Sequence, residues 1–459
     1  MKKGTAEMKI IVVGCGKIGE ALVGRLNAES HDITVVDEDH AKVQSVANKY
    51  DALGVVGNGA TREVLQEAGV NKADLLIAVT GSDEINLLCC LMAKKRGNCR
   101  TIARVKSPEY FSDAPYLKEE LGLEMIINPE YATASEITRI LNFPSAINIE
   151  TFAKGRVELL KFKLPEGCPL VGMSVREIIV KMRCNVLFCT VERGEEAFIA
   201  NGEFVFAEKD VVSIISTPRS ANAFFKKIGL NIQPVRDVLM LGGGELTHYL
   251  CDMLKRSGIS LKIIERSTER AGELAEEFDY VTIINANPSD EDVLREEGIA
   301  GAGAVVALTK HDEENILLSL FAKRESTGKV VTRISRTEYD SIVSQLELDS
   351  TVYPTNIVAD NIARYVRTSS NTRGNDMQNL YNVIKGKVVA AEFIVAEGSP
   401  LINKPLTELN MKPDVLIAAI LRDRSVIIPR GSDLFMPGDS VIIATKHLGI
   451  QDLTDIIKK

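Results

Sequence analysis

Ile10-Ile11-Val12-Val13-Gly14-Cys15-Gly16-Lys17-Ile18-Gly19 joins four β-branched residues to a Gly-x-Gly-x-x-Gly loop. The branched run favours a strand, the glycines a tight turn, and the pattern from Ile18 to Asn27 a helix. The next apolar run, Ile33 to Val36, ends on Asp37. A strand, a glycine turn, a helix and an acid about 20 positions on make the fingerprint of a dinucleotide crevice. The unit then returns. Val238-Leu239-Met240-Leu241 runs into Gly242-Gly243-Gly244-Glu245-Leu246-Thr247, and Leu261 to Ile264 ends on Glu265. The glycines (14 and 242) and the acids (37 and 265) are both 228 residues apart.

Outward from the first loop, strand patterns fall at Ile33–Val36, Leu53–Val56, Leu75–Val79, Ile102–Val105 and Met125–Ile127, with helical patterns between them, as at Thr61–Ala68 and Asp83–Arg96. This alternation predicts a Rossmann-like, doubly wound parallel sheet. A helix beginning at Pro129 closes the unit, proline suiting a first helical turn. From about Glu150 to Pro218 short strands separated by Pro165-Glu166-Gly167 and Asn201-Gly202 predict a small β-rich lobe with one helix, Ser174 to Lys181. The second copy follows in detail: Val79-Thr80 becomes Leu308-Thr309, Asp83, Glu84 and Asn86 become Asp312, Glu313 and Asn315, and Arg104 becomes Arg333. A second β-rich lobe repeats Glu166-Gly167-Cys168-Pro169-Leu170 as Glu397-Gly398-Ser399-Pro400-Leu401. The expected fold is α/β, with domains at 8–142, 150–220, 235–368 and 382–450. The polar stretch Ser369 to Asp376 reads as a linker.

Composition bounds the function. A chain of 459 residues exceeds one core, and about 150 residues per domain predicts roughly three domains. A net charge of −8 argues against a nucleic-acid partner, which requires a basic footprint. No apolar run approaches the roughly 18 residues that span a bilayer, and Met1-Lys2-Lys3 leads straight into the first strand rather than into a signal sequence. A cytoplasmic protein is expected. The eight cysteines form no Cys-x-x-Cys pair and no zinc spacing, so reduced, buried thiols are expected and no metal.

The residues of each crevice have distinct expected duties. Gly14 makes the turn, Gly16 admits a pyrophosphate, Gly19 lets helix and strand approach, and the amides at Cys15, Lys17 and Ile18 face phosphate at a helix start. Asp37 accepts the adenosine ribose hydroxyls and repels a 2′-phosphate, which favours NAD or NADH. Gly57, Asn58, Thr80, Gly81 and Arg104 lie at carboxyl ends of strands, where ligands of such sheets sit. A phosphate contact and a salt bridge at the sheet edge are equally open to Arg104. In the second copy the corresponding set is Gly242, Gly243, Gly244, Glu245, Glu265, Asn285, Thr309 and Arg333. There Thr247 replaces the third glycine, so the helix is expected to stand off slightly or to bend, and Glu265 is one methylene longer than Asp37. No catalytic set emerges. His31 reads as a turn residue, His248 as packed in its helix, His40 and His311 as residues of polar loops or helix starts, and His447 follows the last strand with no partner in the pattern.

The order of these units resembles the TrkA family, peripheral cytosolic subunits of Trk potassium uptake systems built of RCK (KTN) domains with TrkA-C lobes. The resemblance rests on Gly14 to Gly19, Asp37, Gly57-Asn58-Gly59-Ala60, Val79-Thr80-Gly81-Ser82-Asp83-Glu84-Ile85-Asn86 and the Glu-Gly-x-Pro-Leu start of both β-rich lobes. It implies a non-enzymatic regulator on the cytosolic face of the inner or plasma membrane, in which NAD(H), ATP or ADP alters a homo-oligomeric ring, expected as a tetramer. Its partner would be an integral membrane potassium-translocating subunit of the TrkH/TrkG type. The long helices after Pro129 and Pro354 are the expected carriers of motion between lobes. An NAD-dependent oxidoreductase is the alternative and requires a general acid or base and a substrate pocket. A redox-responsive scaffold without a transporter is a third reading.

Overall fold

The protein is described from a computed structural model covering residues 8–97, 99–142, 148–152, 156–229, 235–255, 257–336, 339–343, 345–346, 348–370, 377–384, 386–423, 425–447, 450 and 452–458. The start 1–7 and the segment 371–376, read above as a linker, lie outside the described residues. The chain divides into two compact units. One holds residues 1–141 and 235–366, the other 142–234 and 367–459.

The first unit begins with β1 (Lys9–Val13), α1 (Lys17–Ala28), β2 (Asp32–Asp37), α2 (His40–Tyr50), β3 (Leu53–Val56), α3 (Arg62–Glu67), β4 (Leu75–Ala78), α4 (Asp83–Gly97), β5 (Arg100–Arg104), α5 (Pro108–Ser112), α6 (Ala114–Glu120), β6 (Met125–Ile127) and α7 (Pro129–Asn142). The strands pair in parallel in the order β3-β2-β1-β4-β5-β6. That is the doubly wound order, with its switch point between β1 and β4, where a ligand crevice opens. β4 is buried along its whole length, as covered parallel strands are.

The other unit opens with β7 (Asn148–Phe152), β8 (Val157–Lys163), α8 (Val175–Met182), β9 (Leu187–Arg193), β10 (Glu196–Ile199), β11 (Val211–Ser216) and α9 (Pro218–Lys227). Ser174 and Glu177 form a reciprocal capping box at α8. α9, a second helix where one was expected, starts at Pro218 and buries Ala221, Phe224 and Phe225 in the lobe's core. Its three apolar positions lie at helical spacing but directly after a strand, which hid it from a β-rich reading.

The second Rossmann-like sheet comprises β12 (Asp237–Leu241), α10 (Glu245–Lys255), β13 (Ser260–Glu265), α11 (Thr268–Glu277), β14 (Val281–Asn285), α12 (Glu291–Glu296), β15 (Ala304–Ala307), α13 (Asp312–Glu325), β16 (Lys329–Arg333), α14 (Asp340–Val343), β17 (Ser350–Val352) and α15 (Pro354–Ser370), in the matching order β14-β13-β12-β15-β16-β17. α15 therefore takes in the first two residues of the expected linker. The last lobe, β18 (Met377–Ile384), β19 (Val388–Ile394), β20 (Val415–Arg422), β21 (Ser425–Ile427) and β22 (Ser440–Thr445), repeats the antiparallel order of its predecessor. A buried aspartate recurs in both: Asp210 takes Arg193 through two bonds of 2.8 Å, and Asp439 takes Arg422 at 2.9 and 2.8 Å.

The two parallel sheets exchange their closing helices. Ala134, Ile137, Ile140 and Leu141 of α7 sit in the core of the second sheet with Val238, Met240, Leu261 and Ile263. Val358, Ala359, Ile362, Ala363 and Val366 of α15 sit in the core of the first with Ile10, Val12, Leu75 and Ile77. Each of the valines, leucines and isoleucines among them contributes roughly 1.5–3 kcal/mol by burial. Arg25 of α1 adds an ion pair of 2.8 Å to Asp360, and Asn128 donates to the Tyr249 hydroxyl at 2.9 Å. Among the described residues, no helix is long and apolar enough to cross a membrane.

Candidate functional site

A cleft of about 620 Å³ opens at the β1–β4 switch point, lined by Gly14, Gly16, Lys17, Ile18, Asp37, Gly57, Asn58, Thr80, Gly81 and Arg104. Gly14 turns the chain at φ +106°, a conformation that a side chain strains, and its amide donates to Val36 O at 2.8 Å. A Cβ on Gly19 would stand 1.8 Å from Gly14 O, so only glycine lets α1 sit this close to the loop. Asp37 is fixed by two backbone amides: Cys15 N donates to Oδ2 at 2.7 Å and Asp39 N to Oδ1 at 2.9 Å. A carboxylate has about four lone-pair sites, so acceptor capacity remains for two hydroxyls in the cleft. Cys15 and Gly19 do not line the cleft. The Cys15 thiol is buried and pushed up to about 12, by burial first and the Asp37 charge second, so the residue serves through its amide.

On the opposite wall, Thr80 N donates to Asn86 Oδ1 at 2.8 Å, Asn86 Nδ2 to Arg104 O at 2.9 Å, and Arg104 Nη1 to Thr80 O at 2.7 Å. Asp83 accepts Lys106 N and Ser107 N, each at 2.8 Å. The Thr80 to Asn86 motif thus clips the β4 end to the β5 end. Arg104 spends one nitrogen on a carbonyl, not on a carboxylate at the sheet edge, and its Nε is buried with no partner among the described residues.

The second cleft, about 520 Å³, is lined by Gly242, Gly243, Gly244, Glu245, Glu265, Thr309 and Arg333. Glu265 reproduces the carboxylate clip: Gly243 N donates to Oε2 at 2.6 Å and Ser267 N to Oε1 at 2.7 Å. The extra methylene is accommodated because Gly243 stands where the first copy has Cys15. A Cβ there would meet Glu265 at 3.1 Å and Leu274 at 2.6 Å. Thr247 fills the third-glycine position, fully buried, and donates from Oγ1 to Gly242 O at 2.7 Å. A Cβ at the matching place of the first copy would stand 1.8 Å from Gly14 O, whereas here the Thr247 side chain is seated and hydrogen-bonded to the corresponding carbonyl. Asn285 does not line the cleft. It ties Thr268 Oγ1 to Glu265 O and Arg266 O at 2.9–3.3 Å.

Several lining residues escaped the sequence reading. Lys42 and Arg270 occupy equivalent first-turn positions in α2 and α11 and line the respective clefts, a correspondence visible in the 228-residue offset. Glu130 lines the first cleft from its own lobe, and others come from across the unit: Arg333, Ser335, Pro354 and Thr355 reach the first cleft, and Lys106 and Glu130 the second. Only the helix exchange brings them there, and no local pattern signals it. At the phosphate-facing helix start the charge is inverted: Lys17 becomes Glu245, which Lys106 pairs at 2.9 Å.

The histidines lie elsewhere and line neither cleft. His31 is a buried residue rather than an open turn, its Nδ1 accepting Met8 N at 3.3 Å, and His248 packs in α10 against Phe278 with Glu277 at 2.8 Å. The eight cysteines are free, seven of them buried. No group of three or more His, Cys, Asp or Glu able to hold a metal occurs among the described residues.

Against known proteins, residues 10–129 and 238–354 match the TrkA-N domain, and 159–229 and 390–458 the TrkA-C domain. A Trk system potassium uptake protein TrkA homolog of Archaeoglobus fulgidus is 30% identical over 452 residues, 98% of this chain and 100% of that one. Homolog 1 of Methanosarcina mazei is 31% identical over 95% of this chain and 97% of its own, and TrkA of Haemophilus influenzae 30% identical over 95% of each. Among solved structures, the GsuK RCK domain superposes with a TM-score of 0.63 at 18% identity, covering 98% of this chain and 94% of that one. The GsuK channel bound to NAD gives 0.62 at 17%, covering 98% and 78%. With both domain types present twice and full-length relatives at this identity, the chain belongs to the TrkA family of Trk potassium uptake proteins.

Proposed function

We propose that this chain is a cytosolic regulatory subunit of a Trk-type potassium uptake system that binds NAD(H) or adenine nucleotides and gates a separate membrane subunit by changing conformation. One observation carries the reading: both switch-point clefts present an acid, Asp37 or Glu265, clamped by two backbone amides beside a glycine turn. That arrangement suits a ribose next to a diphosphate. A solved structure of the same fold, the GsuK channel, is described as bound to NAD, and this chemistry is carried over here as part of the proposal. Gly16, Lys17 and Ile18 would face phosphate in the first cleft and Gly244 and Glu245 in the second, while Gly14 and Gly242 make the turns and the amides of Cys15 and Gly243 hold the acids. Asn58, Thr80, Gly81 and Arg104 would line the rest of the first cleft, and Thr309 and Arg333 the second. Gly19 and Asn285 would shape the walls from behind.

The role proposed is binding rather than turnover, which agrees with full-length relatives described as Trk system potassium uptake proteins. Gating follows from population shift: a ligand that prefers one arrangement of lobes stabilises it, and moving an equilibrium from 1:99 to 99:1 takes about 5.5 kcal/mol of differential affinity. Calorimetric titration with NADH, NAD, ATP and ADP tests the reading. The parent protein should take up at least one of them, and Asp37→Ala should weaken the first cleft at least tenfold. A parent that binds none ends the proposal.

A further inference from the structure

Two residues belong to both clefts. Glu130, in the first turn of α7, and Arg333, at the end of β16, each line the first cleft and the second. They face each other at 3.9 Å between Arg333 Nη2 and Glu130 Oε1, with side chains 17% and 12% exposed. The pair is loosely joined for its depth. Arg333 Nη1 donates to Thr309 O at 3.2 Å, while Arg333 Nε and Glu130 Oε2 are buried without a hydrogen-bond partner among the described residues. Desolvated charges left short of partners gain from any better one that arrives. A phosphate is such a partner for a guanidinium, and the glycine loops aim phosphates into these clefts.

We propose that Arg333 is a phosphate-binding residue of both clefts, and that sharing it with Glu130 makes nucleotide binding at the two sites of one chain anti-cooperative. The proposal rests on the nucleotide reading above. The first cleft has a strand-end arginine of its own, Arg104, which does not line the second. In the second cleft Arg333 is the counterpart of Arg104; of the other cations that line it, Lys106 is engaged by Glu245 and Arg270 by Gly243 O and Glu273, while Arg266 and Lys310 stand beside them. When a ligand in the first cleft draws Arg333 to its phosphate, the second cleft loses one of its cations, the one that faces the Glu130 carboxylate. The reverse holds when the second cleft fills first, since coupling between binding sites is reciprocal.

The test is calorimetric titration of the full-length protein with ADP and, separately, NADH. Affinities of single clefts come from Glu265→Ala, which leaves the first cleft intact, and Asp37→Ala, which leaves the second. In the parent the product of the two binding constants should fall below the product of the single-cleft constants by about 5-fold to 150-fold, the usual range of such coupling. Glu130→Gln, which keeps the shape and removes the charge, should narrow the gap between the products, and Arg333→Met, which removes the shared cation, should close it. Arg333→Met placed in the Glu265→Ala background should weaken the first cleft although Arg333 comes from the other lobe. A parent whose two steps equal the single-cleft values overturns the coupling while leaving nucleotide binding intact. So does an Arg333→Met effect confined to the second cleft. A parent that takes up neither ligand overturns the nucleotide reading itself and the coupling with it.

Discussion

At the level of single residues, the first glycine loop separates two duties that a motif merges. A Cβ on Gly19 collides with Gly14 O, whereas one on Gly16 meets nothing within 4 Å and points into open space. Gly19→Ala should therefore cost stability, about 1–3 kcal/mol as overpacking usually does, read by urea unfolding. Gly16→Ala should leave the unfolding midpoint within about 0.5 kcal/mol of the parent, as substitutions away from packed features do. Its effect should appear in nucleotide affinity. Equal losses of stability in both variants would contradict this division. The acid positions were fully legible from spacing. The compensation between Cys15/Asp37 and Gly243/Glu265 was not, because it depends on which side chain fills a gap of a few ångströms behind the carboxylate.

At the level of elements, strand positions in the first sheet read from hydrophobic runs agree with the structure to within two residues at each end, since parallel strands buried on both faces carry nearly continuous apolar sequence. α9 and the destinations of α7 and α15 did not show. A helix's apolar stripe states that it is buried and says nothing of which sheet buries it. Ile362 lies on α15, in the second half of the sequence, yet is fully buried against β1 and β4. Ile362→Ala should cost about 2–4 kcal/mol in global stability. Amide hydrogen exchange should speed first in β1 and β4 of the first sheet. Faster exchange confined to β12 and β15 would contradict the exchange of helices.

At the level of the whole molecule, the duplicated layout was readable because two copies reinforce each other, and the family was readable because its motifs span nearly the whole chain. Assembly was not readable, since ring contacts leave no periodic trace. The resemblance implies a ring, so light scattering at micromolar concentration should give a mass of several chains. A strict monomer there would count against gating through a ring. The exchanged helices also bear on synthesis. About 225 residues separate the starts of α7 and α15. At roughly 5–20 residues per second, that is on the order of 11–45 s during which part of the first sheet waits on the ribosome without its cover. Nascent chains of this protein are therefore candidates for chaperone capture in the interval before Val366 emerges. A stop codon between the two halves would leave a half-chain whose exposed aliphatic face invites aggregation.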